Sequence, residues 1–149
     1  MTVHKENKFL PFKPEQLYAI VSDIESYPIF LPWVSKAIID KNKTFQEKAK
    51  ITLEAEIFVK FNLVRENFRS KVTLDSEANR ISTTNIDGPF KRLNNEWIFK
   101  SDQQGCKVVF EVDFEFKSFI LHSLINSMFH KAMTKVTLSF ERRAKELYW

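Results

Sequence analysis

From Val34 to Lys117 apolar residues recur at every second position, and after Phe116 they recur at helical spacing instead. That single switch restricts the fold more than any other feature. Val108, Phe110, Val112, Phe114 and Phe116 alternate with Lys107, Val109, Glu111, Asp113 and Glu115. Ala49, Ile51, Leu53, Ala55 and Ile57 alternate with lysines, a threonine and glutamates, and Phe68, Ser70, Val72 and Leu74 alternate with Asn67, Arg69, Lys71 and Thr73. Leu93, Asn95, Trp97 and Phe99 form a fourth such face. One apolar and one polar face per strand describes an antiparallel sheet covered on one side. Turn chemistry at 40–43, 75–79, 87–89 and 103–105 separates the strands.

Helical spacing appears near both ends of the chain. Leu121, Leu124, Ile125, Met128, Ala132, Val136, Phe140 and Ala144 trace one stripe, with no proline or glycine after Ser118. About 30 residues of helix would run about 45 Å, enough to cross a small sheet. Near the N-terminus, Pro14 and Glu15 open a first helix carrying Leu17, Ile20, Val21 and Ile24, and Asp23 and Ser26 offer caps for a second short one. The order is strand, two short helices, a run of strands and one long helix. This predicts a single α+β domain over residues 1–149, a curved antiparallel sheet wrapped around the C-terminal helix.

Composition removes several classes of function. Two glycines cannot supply a phosphate-binding glycine loop, and one cysteine, Cys106, excludes a disulfide within the chain and a thiolate zinc site. The polar N-terminus and the lack of a long apolar run predict a cytoplasmic protein. A net charge of +4 suits an anionic membrane surface or RNA about equally.

Tyr27-Pro28-Ile29-Phe30-Leu31-Pro32-Trp33 is too apolar for a loop in water, and its prolines bar a regular helix or central strand. It must close over something apolar, as must Gly88-Pro89-Phe90-Lys91. With Phe61, Phe68-Arg69-Ser70-Lys71-Val72, Leu93, Trp97, Val109-Phe110, Phe114-Glu115-Phe116, Phe140 and Arg143-Ala144, these segments resemble the coenzyme Q-binding family. That family lies within the START-like (helix-grip) superfamily of polyketide cyclases and lipid transporters. Its bacterial relatives include ribosome-association toxins. Val34 stands where the family often carries cysteine after the tryptophan.

The resemblance implies a tunnel between sheet and helix that holds ubiquinone or a related polyprenyl lipid, with no cofactor required and no reaction catalysed. The tunnel and its rim would be built from Tyr27, Phe30, Leu31, Trp33, Leu53, Phe68, Ser70, Val72, Phe90, Asn95, Trp97, Phe99, Phe110 and Phe114, and from Ile125, Met128, Phe129 and Met133 of the helix. Ser70 and Asn95 are polar on otherwise apolar faces, so each reads either as a contact to a lipid head group or as a side chain with an internal partner. The two proline-stiffened segments should meet as one rim, where Leu31→Ser or Phe90→Ser would release lipid from a folded protein.

Three further readings follow. Phe119 and Ile120 lie off the helical stripe near Lys117, Lys131 and Lys135, as in a helix docking transiently on the inner membrane; burial under loops or a dimer contact are the alternatives. The sheet's basic face, with Lys36, Lys48, Lys50, Arg69 and Lys71, could instead meet the ribosome, although no aromatic platform accompanies it; DNA is not an expected partner. A cyclase-type enzyme is a third possibility, but the apolar faces lack titratable groups. His122 and His130 are spaced too far apart to share a metal and read as surface or lipid-facing residues. Glu111, Asp113 and Glu115 read as solvated partners of lysines and arginines, and Cys106 as inert.

Overall fold

A computed structural model describes residues 2–61 and 63–149; Met1 and Asn62 lie outside the described residues. The chain runs β1 (Thr2–Leu10), α1 (Pro14–Ser22), a 3₁₀ turn (Ile24–Ser26), α2 (Tyr27–Phe30), β2 (Val34–Glu47), β3 (Lys50–Phe61), β4 (Val64–Asp75), β5 (Arg80–Asp87), β6 (Phe90–Asp102), β7 (Gly105–Phe116), α3 (Phe119–Asn126) and α4 (Phe129–Tyr148). The seven strands form one antiparallel sheet in the order β1-β7-β6-β5-β4-β3-β2. Hairpins make every neighbour except β1, which returns to pair with β7 (Thr2 opposite Phe114, Leu10 opposite Cys106). The apolar faces foreseen for β3, β4, β6 and β7 point inward, and α1 and α4 close over them.

Three local expectations need correction. Residues 40–43 are no hairpin turn. β2 runs through them with a register shift between Asp40 and Phe45, and the chain reverses at Lys48 and Ala49. Short polar residues that favour turns also favour bulges, where Asp40 Oδ1 accepts from the Asn42 amide at 3.0 Å. Pro28 lies within α2, in the first turn, where its missing N–H costs no helical bond. The C-terminal helix is two helices, because after Asn126 the Met128 amide bonds back to Ile125 at 2.9 Å in a tight turn. No proline or glycine is needed: Asn126 and Ser127 are poor interior helix residues, and the break re-aims the chain so that Phe129 reaches the sheet. α4 alone, at 20 residues, spans about 30 Å.

Packing differs between the two ends of the sheet. At one end Leu17, Ile20 and Val21 of α1 fill the space between Phe99 and Val108. The other end carries the β3–β4 hairpin, the β5–β6 turn and the exit from β7, and there the sheet and the helices stand apart. Gly88 makes that turn possible: its φ is +136°, and a Cβ there would lie 2.6 Å from Cβ of Phe68.

Candidate functional site: an apolar cavity between sheet and helices

The separated end encloses a cavity of about 340 Å³. Its walls are the inner faces of β3 to β7, its roof is Ile125, Met128, Phe129, Ala132, Met133 and Val136, and its side is the segment from Tyr27 to Val34. The volume falls in the range of small-ligand pockets, roughly 300–1,000 Å³. The wall is almost wholly apolar.

Most of the residues expected from sequence meet here. Tyr27, Leu31, Trp33, Phe68, Ser70, Val72, Phe90, Asn95, Trp97, Phe110, Phe114, Ile125, Met128, Phe129 and Met133 all line the cavity. Three do not. Leu53 is buried in the core two residues beyond Ala55, toward the filled end, and Phe99 packs there against α1. Phe30 faces away from the cavity lining and wedges between Tyr27 (6.1 Å between ring centroids) and Phe140 (5.2 Å), with the Arg143 guanidinium over its ring. Alternation identifies the inward face of a strand but not the depth at which the helices leave space.

Sequence reasoning missed Thr83 and Ile81 of β5, whose polar Ser-Thr-Thr-Asn run hides the alternation, and Ala132 and Phe140 of α4. The Leu31–Trp33 and Phe90 segments line the same cavity at the same end of the sheet, with the β3–β4 hairpin between them. Trp33 packs on Phe61 (5.1 Å) and Phe90 on Phe68 (5.2 Å). Trp33 also holds a left-handed backbone (φ 68°), uncommon for so large a residue, and its carbonyl accepts from the Lys60 amide at 2.7 Å. Tyr27 is anchored from below, its hydroxyl donating to the Val21 carbonyl, and burial pushes its phenol well above the ordinary range.

Polar groups on the cavity wall are few. Asn95 Nδ2 donates to the Glu111 carbonyl at 2.8 Å, so it has the internal partner that one of its two readings required. The Ser70 hydroxyl is only 2 % exposed and has no hydrogen-bond partner among the described residues.

Outside the cavity, a polar network not legible in the sequence ties β1 to α4. His4 Nδ1 and His130 Nδ1 lie 2.9 Å apart, one donating to the other, and His4 Nε2 meets Glu6 Oε2 at 2.6 Å. Glu6 also accepts from the Thr137 hydroxyl at 2.9 Å. His130 is exposed, as its surface reading has it, and is no cavity residue; it partners a histidine 126 positions away. His122 lies beside Phe114 and Phe116, also off the cavity lining. Among the described residues no group of three side chains could hold a metal ion.

The outer face of the sheet carries paired charges. Arg92 holds Asp113 at 3.0 Å, Lys91 and Arg92 reach Glu115, and Arg69 bridges Glu54 and Asp40. The hydrogen bond and charge of Lys91 hold the Glu115 carboxyl below its usual range. Cys106 is fully buried at the start of β7, and desolvation pushes its thiol up to about 11, so it carries no thiolate at neutral pH.

Comparison with known proteins places this geometry in context. A family model described as polyketide cyclase/dehydrase and lipid transport matches residues 10–141. The ribosome association toxin RatA of Rickettsia prowazekii is 37 % identical, with 99 % of each chain covered. A mitochondrial coenzyme Q-binding protein, COQ10 homolog B of Xenopus laevis, is 33 % identical over 97 % of this chain and 59 % of its own length. The solution structure of an 18 kDa protein from Caulobacter crescentus superposes with a TM-score of 0.83 at 35 % identity, covering 99 % of both chains.

Proposed function

This chain belongs to the START-like polyketide cyclase/dehydrase and lipid transport family, with the RatA and coenzyme Q-binding proteins as relatives, and we propose that it is a carrier that binds ubiquinone or a related polyprenyl lipid without transforming it. The observation that carries this reading is the cavity of about 340 Å³ whose wall is nearly all hydrocarbon and aromatic ring. An apolar chain is the ligand that such a wall rewards. At about 0.8 kcal/mol per buried CH₂, ten carbons of a prenyl tail contribute roughly 8 kcal/mol before the costs of binding are met. Protein expressed in a quinone-producing host should yield an isoprenoid quinone or quinol on organic extraction and mass spectrometry. An extract without prenyl lipid would count decisively against the proposal. Leu31→Ser at the mouth should lower the amount retained, and it is a cleaner probe than Phe90→Ser, because Phe90 also stacks on Phe116 at 4.8 Å.

Delivery of such a lipid requires contact with a bilayer, and α3 is suited to it. Its inner side lends Ile125 to the cavity, while Phe119 and Ile120 stand 84 % and 73 % exposed on its outer side. From Lys117 to Phe140 there are three lysines and no acidic residue, so the exposed apolar edge sits in a positive surround. No described helix is long and apolar enough to cross a membrane, and peripheral docking on the inner membrane from the cytoplasm is the arrangement proposed. Sedimentation with anionic vesicles should fall by about tenfold or more in Phe119→Ser/Ile120→Ser, since each side chain would leave the lipid interface. Wild-type protein that ignores anionic vesicles would remove this route.

Ribosome association is a second reading, supported by 37 % identity to a protein named for that activity along its full length. The exposed Lys36, Lys48, Lys50 and Lys71 would supply phosphate contacts, whereas Arg69 is already held by Asp40 and Glu54. Co-sedimentation with ribosomal subunits at low salt, lost steeply as salt rises, would support it. No co-sedimentation at low salt would eliminate it.

A further inference from the structure

Strand register ranks the cavity wall from its mouth inward. Ile57 pairs with Phe68 toward the β3–β4 hairpin, Ala55 with Ser70 one step deeper, and Val72 with Thr83 one step deeper again. Asn95 stands in the row of Thr83, between it and Val112. The next row sets Trp97 against Phe110, ring centroids 4.5 Å apart, with the Phe140 ring 5.0 Å from the indole. Those three rings also border the end filled by α1, so they form the floor of the cavity. Exposure runs the same way. Trp33, Phe61 and Phe90 are half-buried and Met128 is exposed, whereas Ser70 and Trp97 are buried. From Val64, where β4 begins, to Ser70 the strand covers about 20 Å.

Polarity increases with depth, the reverse of a pocket that leaves its ligand's head in water. Aromatic side chains ring the mouth, and the Tyr27 hydroxyl on the wall is spent on the Val21 carbonyl. Ser70, Thr83 and Asn95 gather just above the floor. The Ser70 hydroxyl has no hydrogen-bond partner among the described residues, although buried polar groups in folded proteins are nearly always satisfied. An alanine there would suit a purely apolar wall. The two hydroxyls can donate or accept, and Asn95, whose Nδ2 serves the Glu111 carbonyl, keeps Oδ1 as an acceptor. We infer that the lipid is held head first: a carbonyl, phenol or alcohol oxygen of its head rests against Ser70, with Thr83 and Asn95 beside it, and its tail leaves past Trp33, Phe61 and Phe90. A lipid held tail first would set methyl groups against the Ser70 hydroxyl and leave its own oxygens among the rings of the mouth. Held head first, a tail longer than the cavity trails out beside α3, the edge assigned above to the bilayer. This orientation rests on the lipid-carrier reading and adds the direction in which the lipid is bound.

Isothermal titration calorimetry of the full chain with labelled probes reads that direction. The parent probe is a benzoquinone with a two-isoprene tail; one derivative carries a bulky fluorophore at the far end of the tail, the other carries it on the ring. The tail-labelled probe should bind within about threefold of the parent and the ring-labelled probe about tenfold weaker or worse, because only the tail end reaches the mouth. Ser70→Ala should weaken the parent quinone about tenfold, the scale of one hydrogen bond to a buried group, and leave a prenylbenzene with the same tail unaffected. That variant should melt at the same temperature or higher, since it deletes an unpaired buried hydroxyl. Equal affinities for the two labelled probes, or the reverse order, would overturn the head-first assignment. So would a Ser70→Ala variant that binds the quinone as wild type does, or that loses quinone and prenylbenzene alike. In each of these cases binding of the parent quinone keeps the carrier reading, whereas a parent quinone that does not bind at all would overturn both.

Discussion

Phe114→Ala should lower the unfolding free energy by about 3–5 kcal/mol, measured as a shift of the urea midpoint at constant slope. Phe114 is the largest of the almost fully buried side chains among the described residues, 1 % exposed near the end of β7. Its ring stacks on Phe129, the first residue of α4, at 4.0 Å between centroids. Phe116 and the His122 ring complete the contact at 5.1 and 5.6 Å. The residue thereby fastens both C-terminal helices to the strand that pairs with β1 and β6. Deleting the ring removes that clamp and enlarges an existing cavity, which the surrounding strands cannot collapse to fill because their spacing is set by backbone hydrogen bonds. A loss of this size is a large share of the 5–15 kcal/mol available to an ordinary domain. Phe119→Ala, at an exposed site, should shift stability by no more than about 0.5 kcal/mol and serves as the control. A Phe114→Ala midpoint within error of that control would mean that the helices are held elsewhere.

The contrast between those two phenylalanines also shows what could be read from the sequence. Phe114 belongs to an uninterrupted alternation from Val108 to Phe116, and period two is a local property that fixes which side of a strand faces inward. Phe119 falls off the helical stripe and is exposed for that reason. The order of elements, the inward faces and most of the cavity wall follow from such local periods. What escaped had non-local causes. His4 and His130 meet only because β1 forms the edge strand beside β7, in contact with α4, and no spacing rule links positions so far apart. Thr83 lies in a strand whose inward residues are partly polar, so no alternation marks it. Phe99 shares the inward face of Trp97, yet α1 fills the space above it, and Leu53 shares the inward face of Ala55 but is buried in the core off the cavity lining. Leu124 was assigned to the buried stripe and is exposed, because the break after Asn126 rotates α3 relative to α4. Periodicity assigns sides. Only the assembled helices decide which part of a covered face stays hollow.

That hollow permits a substitution with opposite effects on stability and function. Ala55, on the inner face of β3, is 1 % exposed, lines the cavity and lies opposite Ser70 in register. Ala55→Phe would place a ring in the space the lipid is proposed to occupy. In a close-packed core such a change costs about 1–3 kcal/mol through overpacking. Here about 340 Å³ is open to receive it, so the melting temperature should hold or rise. If the ring displaces three CH₂ groups of the tail, binding should weaken by about 2.4 kcal/mol, roughly 50-fold. Ala55→Leu, with a smaller side chain, should give an intermediate loss, which separates graded filling from misfolding. The same variants divide the two functional readings. Filling the cavity should leave the outer lysines untouched, so a protein that acts through ribosomal phosphates alone would keep its co-sedimentation while losing its lipid. Lipid recovered in full from Ala55→Phe would place the ligand outside the cavity and defeat the carrier proposal.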